Sequence, residues 1–196
     1  MNKTSKREQN RNRQRRQKWT GYAAGGGLAV LVLGVLGFML WQSFKPAVGE
    51  AITIPANYST HVEIDQPLSY PSDPPAGGQH YASSLDSGFY EDATLPGRPG
   101  EAAGYLVHNL EHGYVIFWYN CALLDEAACI DLKNNIKNVM NARNNLKVIA
   151  YPWDSLDVPL VMTSWGRLQR FERFDEKLVR TFVERNLNRA PESSAQ

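Results

Sequence analysis

Apolar positions fall into one long unbroken block near the N-terminus and several short, periodic blocks beyond residue 100. The long block runs from Thr20 to Trp41, 22 residues without a charge, and its second half is almost wholly aliphatic from Leu28 to Leu40. About 20 apolar residues in helical conformation span the ~30 Å hydrocarbon core of a bilayer. Trp19, Tyr22 and Trp41 stand at the ends, where amphipathic rings settle at the membrane interface. The pattern predicts a transmembrane helix over residues 19–42. A cleaved signal peptide is the alternative, but its apolar core is usually only about 7–15 residues long, and no small-x-small cleavage site follows Trp41.

The later blocks are those of a small folded domain. Tyr114 to Tyr119 is a run of aromatic and β-branched residues, too short for a helix, and predicts a buried strand. From Leu123 to Arg143, Leu124, Ala128, Leu132, Ile136 and Met140 recur every fourth residue, a helical spacing, with Asp125 and Glu126 in the first turn where the helix dipole favours acids. Lys147 to Tyr151 and Val158 to Trp165 predict two more strands, and Asp175 to Asn188 a final amphipathic helix carrying Leu178, Val179, Phe182 and Leu187. Strand, helix, strand, strand, helix suggests an α+β domain: a small, mostly antiparallel sheet with two helices packed on one face. Four prolines and two glycines between Gln66 and Gly78 exclude helix and central strand, so this stretch is a shaped loop ending at His80-Tyr81. Residues 95–104 read as a second loop. The expected organisation is a basic disordered tail (1–18), the membrane helix (19–42), a stalk (43–64) and the exported domain (65–192).

A formal net charge of +1 conceals a strong asymmetry. Residues 1–18 hold eight Lys or Arg against the single acid Glu8, whereas from Pro46 on 12 basic residues face 19 acidic ones. Beside an apolar span the basic tail is a cytoplasmic flank, which places the domain outside and makes the lipid bilayer, not nucleic acid, its partner. Cys121 and Cys129, the only cysteines, then lie on the oxidising side and are expected to form a disulfide. A strand, Cys121, a helix, the strand Val158-Pro159-Leu160 and a last helix faintly echo thioredoxin. C-x7-C is not the redox C-x-x-C spacing, however, and too few residues join the Tyr151 and Val158 strands for the intervening helix.

Polar chemistry concentrates in Tyr105-Leu-Val-His108-Asn-Leu-Glu111-His112-Gly113. Histidines at i, i+4 share a face of a helical turn and, at even spacing, of a strand. With His80 they offer three imidazole ligands and an open position, a set suited to Zn or Cu. Met162 can add a soft ligand, Tyr81 and Trp165 can wall the site, and Glu111 is expected to orient one imidazole through its second nitrogen. His61 reads as lying outside this group. Ligating imidazole is neutral, so binding is expected to weaken as pH falls through about 6. The alternative is that these histidines merely hydrogen-bond the backbone of a structural or interaction module. His108 to His112 also spells H-x-x-E-H, the pattern of zinc proteases of the inverted type. That chemistry needs a helix through all five residues, for which Gly113 and the following strand leave little room, and a distant third ligand such as Glu184.

Several of these segments together resemble a bacterial family, domain-of-unknown-function family 3105. The likeness lies in Asp73-Pro74-Pro75-Ala76-Gly77-Gly78-Gln79-His80-Tyr81, in His108 to Gly113 and in Thr163-Ser164-Trp165-Gly166, with Gly88-Phe89-Tyr90 and Pro191-Glu192 also similar. Gly77-Gly78-Gln79-His80 departs from the family's usual Ser-Gly-Pro-His. The resemblance names no activity. It implies a single-pass or exported protein in which His80, His108, Glu111, His112 and Trp165 form one constellation. The expected function is a membrane-anchored domain that binds Cu, Zn or a small ligand, with an unidentified protein or small molecule as further partner.

Overall fold

The computed structural model describes residues 11, 27, 30–41, 44–56, 60–64 and 66–194. The expected basic tail and much of the expected membrane segment lie outside the described residues. Residues 30–41 are helical. Among the described residues no helix is long and apolar enough to cross a membrane.

Ala47–Gln196 forms one compact unit, separate from Met1–Pro46. Much of the expected stalk is therefore part of the domain. Six strands make its sheet: β1 (Glu50–Ala51), β2 (Gly88–Phe89), β3 (Val115–Tyr119), β4 (Val148–Pro152), β5 (Leu160–Ser164) and β6 (Arg167–Phe171). Their order is β1-β6-β5-β3-β4-β2. The sheet is mixed, not mostly antiparallel: β4 runs parallel to both β3 and β2, while β3–β5, β5–β6 and β1–β6 are antiparallel. The 16-residue helix between β3 and β4 permits this, because a parallel pair needs a long crossover.

Three helices pack on the sheet: α1 (Ala102–Glu111), α2 (Glu126–Asn141) and α3 (Glu176–Asn186). The expected strands and both expected helices are present within a few residues of their predicted ends. Asp125 and Asp175 cap α2 and α3, each accepting a hydrogen bond from the backbone N–H three residues on. Alternation along β3 divides the core. Val115, Phe117 and Tyr119 point to one face, where Leu132, Ile136 and Met140 of α2 and Val179, Phe182 and Val183 of α3 cover them. Ile116 and Trp118 point to the other, packed with Leu106, Val107 and Leu110 of α1, with Tyr81 and with the Pro/Gly loop. Helices thus cover both faces.

Residues 95–101 are loop as expected, but helix α1 takes over the last three residues of the expected 95–104 loop and fills the stretch before Gly113 where little room for a helix was expected. It is buried from Ala103 to Glu111, so it shows no polar stripe, the usual sign of a helix met in sequence. Its end is a complete Schellman motif. His112 is the C-cap, Gly113 takes φ 84°, the Gly113 N–H donates to Leu110 O and the Tyr114 N–H to Asn109 O. One glycine suffices to stop the helix and launch β3 two residues later.

Candidate functional site

Four segments bring the site residues together. The Pro/Gly loop supplies His80. Pro74 to Gly78 are buried, and the Asp73–Pro74 peptide is cis. Gly77 adopts φ +137°, and a Cβ there would stand 2.8 Å from Ile54. The loop is tied to the sheet by Gly166 N–H donating to Ala76 O (2.7 Å) and by Trp153 Nε1–H donating to Asp73 Oδ1 (2.6 Å). The segment before the loop supplies His61, which forms a parallel bridge with His80. Helix α1 supplies His108 and Glu111, and its cap His112. The C-terminal tail supplies Glu192.

The loop is locked onto α1. Asn109, wholly buried, accepts from Leu85 N–H and donates to Leu85 O, both at 2.9 Å. Tyr81 lies flat on the helix over Gly104, where a Cβ would come within 2.3 Å of the ring. The Tyr81 N–H donates to Gly104 O.

These constraints aim the imidazoles. His80 Nδ1–H donates to Gly78 O (2.9 Å) and His108 Nδ1–H to Tyr81 O (2.8 Å). A carbonyl only accepts, so each Nδ1 carries a proton, and a ring that is neutral has its lone pair on Nε2. Backbone carbonyls, not Glu111, therefore orient these rings. Glu111 instead faces the other nitrogen: its Oε2 lies 2.8 Å from His80 Nε2 and 3.9 Å from His61 Nε2. A lone pair and a carboxylate oxygen repel at that distance unless a proton or a cation lies between them. His80 and Glu111 are almost fully shielded from water, at 0% and 2% exposure, which removes solvent as the compensating partner.

The ligand atoms of His61, His80, His108 and Glu111 all lie within 4.8 Å of one another, close enough to hold a metal ion. Ring centroids are 4.9 Å apart for His61–His80, 5.2 Å for His61–His108 and 5.3 Å for His80–His108. His61 is the member placed wrongly by the sequence reading. Its side chain is 44% exposed and forms the solvent edge of an otherwise buried group. The alternation of polar and apolar residues in His61-Val62-Glu63-Ile64 was the available signal for an extended segment there. His112 is near His108, at 4.4 Å between centroids, yet it groups instead with Glu111 and Glu192.

Other expected members fall as follows. Trp165 stands edge-on to His80, 6.4 Å between centroids, in the tight turn between β5 and β6. Tyr81 contributes its carbonyl. Met162 is excluded: it pairs with Phe117 in register and lies in the core beneath α2 and α3, on the opposite face of the sheet. Strand alternation decides this, since Val161 lies in the core beneath α1. Glu184 is exposed on α3, a helix of that same far face, and is no third ligand.

Burial pushes the His108 imidazolium down to about 4 from its ordinary 6.5, reinforced by the neighbouring His112, His80 and His61 and opposed by the bond to Tyr81 O. Its ring therefore stays neutral well below pH 6. Cys121, in the short 3₁₀ turn after β3, and Cys129 on α2 form a disulfide with Cα atoms 5.3 Å apart.

The family described as "Protein of unknown function (DUF3105)" matches residues 61–196, and the chain belongs to it. The match spans all six residues of the cluster, from His61 to Glu192. No curated protein matches the chain, and no solved structure does.

Proposed function

We propose that this member of the DUF3105 family is a membrane-anchored, exported metal-binding domain, and that His61, His80, His108 and Glu111 hold a Zn or Cu ion. The observation that carries the reading is the approach of His80 Nε2 to Glu111 Oε2 in a dry interior, with Nδ1 already committed to Gly78 O. A single proton can satisfy that contact alone; a divalent cation satisfies it and also engages the Nε2 atoms of His108 and His61, whose ligand atoms converge on the same point. Metal-bound histidines ordinarily donate their second N–H to a carbonyl or carboxylate, which is the arrangement of His80 and His108. Three imidazoles and one carboxylate suit borderline ions, Zn or Cu, better than Mg or Ca, which prefer all-oxygen shells. The anchor and orientation rest on the uncharged block before Trp41 and the basic residues ahead of it.

A purely structural role is the second reading. The same hydrogen bonds tie the Pro/Gly loop to α1 whether or not an ion is present. Hydrolysis of the H-x-x-E-H type is disfavoured, because His108 and His112 fall in different ligand groups and Glu111 is engaged by His80. Elemental analysis of the purified full-length chain separates the two leading readings. Bound Zn or Cu that is lost in His80→Ala and His108→Ala supports metal binding. A metal-free chain that takes up neither ion at micromolar concentration leaves the structural role.

A further inference from the structure

Glu111 belongs to two ligand groups at once. Its carboxylate lies within 4.8 Å of the ligand atoms of His61, His80 and His108, and also within that distance of those of His112 and Glu192. A carboxylate has two oxygens and can bind one ion through each. We infer that the site is dinuclear: Glu111 bridges one ion held by His61, His80 and His108 and a second held by His112 and Glu192. This rests on the metal-binding reading above and extends it to a second ion and to the C-terminal tail.

The tail is positioned for this role. It leaves α3 and crosses the end of α1, where the Asn188 N–H donates to Gly113 O and the Glu192 N–H to Glu111 O. Lys147 Nζ bridges His112 O and Ser193 O at 3.0 and 2.8 Å, so its charge is spent on carbonyls that hold the tail to the helix cap. Glu192 Oε2 then stands 3.6 Å from His112 Nε2. The Glu192 side chain is 56% exposed, so it reaches His112 from the solvent side. Each group has one exposed member, His61 at 44% in the first and Glu192 in the second, and His112 is 13% exposed.

The two ions differ in what holds them. The first has four protein ligands, enough to fill a tetrahedral shell. The second has three, leaving positions for water or a small ligand. The second ion should bind more weakly and fill after the first.

The test is stoichiometry. Full-length protein in detergent is loaded with Zn(II), freed of excess ion and measured by elemental analysis. Two ions per chain are expected, falling to one in Glu192→Gln and in His112→Ala. Glu192→Gln alters an exposed side chain, so loss of fold does not enter. Loaded instead with Cu(II), the wild type should give the electron paramagnetic resonance signature of a coupled pair, including a half-field transition, and Glu192→Gln that of an isolated ion. One ion per chain in the wild type, or two in Glu192→Gln, overturns the dinuclear assignment and leaves the single site standing. A wild type that binds none overturns the metal reading itself.

Discussion

His61 and His108 mark the two ends of the range of burial in the imidazole cluster, and each yields a separate expectation. His61 is half exposed and its ring packs on His80 and His108 of the site itself, so His61→Ala tests ligation with little confounding loss of stability. Metal affinity should fall at least tenfold while the thermal transition of the metal-free protein stays within a few degrees, read by isothermal titration and circular dichroism; unchanged affinity removes His61 from the site. His108 makes a prediction about pH. The unfolded chain takes up a proton at this residue near 6.5, and the folded chain refuses it until about 4. Between those values the unfolded state binds more protons, so stability falls as pH falls through this window and levels off below it. Since the ring is only 8% exposed, the contribution is about 2–3 kcal/mol. Denaturant melts of metal-free wild type and His108→Ala across pH 4–7 should show a component of that size missing from the variant, and the His108 ring protons should titrate near 4 by NMR. A wild-type midpoint near 6.5 refutes the burial argument. At this scale the sequence was a good guide to which residues carry chemistry and a poor one to their roles. The spacing of His108, Glu111 and His112 was visible. That Glu111 faces a ligating nitrogen, while Gly78 O and Tyr81 O orient the rings, depends on backbone paths that no side-chain pattern records.

Helix α1 is the element on which the site depends and the one the sequence concealed. The two amphipathic helices were legible because water covers one face of each. An α1 buried from Ala103 to Glu111 has no such contrast, and its mixed composition, with His108, Asn109 and Glu111 inside, resembles a loop. The strands were legible for the opposite reason, since β3, β4 and β5 are short, β-rich runs buried on both faces. The sheet's mixed direction was not, because a parallel pair depends on the path of the crossover and not on strand composition. Gly104 shows how closely α1 is fitted. In an exposed helix, Gly→Ala gains roughly 1 kcal/mol from propensity. Here the new Cβ meets the wholly buried Tyr81 ring at 2.3 Å, and forcing a methyl into a filled core costs about 1–3 kcal/mol or more. Overpacking wins, so Gly104→Ala should destabilise by about 1–2 kcal/mol in urea melts. It should also weaken metal binding, because the displaced segment carries the carbonyl that holds His108. A variant as stable as wild type with intact affinity contradicts this packing.

For the whole molecule, charge, cysteine chemistry and metal site constrain one another. In the proposed topology, with the eight basic residues ahead of the uncharged block on the cytoplasmic side, Cys121 and Cys129 would lie where disulfides persist. Closing that short loop contributes roughly 2–3 kcal/mol in the chain-entropy description. Cys121→Ser/Cys129→Ser should lose about that much and leave metal stoichiometry unchanged, since the turn and α2 lie on the opposite face of the sheet from the cluster; altered stoichiometry would mean that the two faces are coupled. The reverse orientation makes incompatible demands. It would carry a strongly basic segment across the membrane and expose the disulfide to a reducing cytosol, where thiols stay free. A reporter that is active only outside the cytoplasm, fused after Gln196, should therefore be active, and a cytoplasm-dependent reporter at the same position should be silent. Protein taken from membranes under alkylating conditions should show Cys121 and Cys129 linked. Cytoplasmic activity of the fusion together with two alkylated thiols would reverse the topology, and the imidazole cluster would then face a compartment where free Cu and Zn are held scarce.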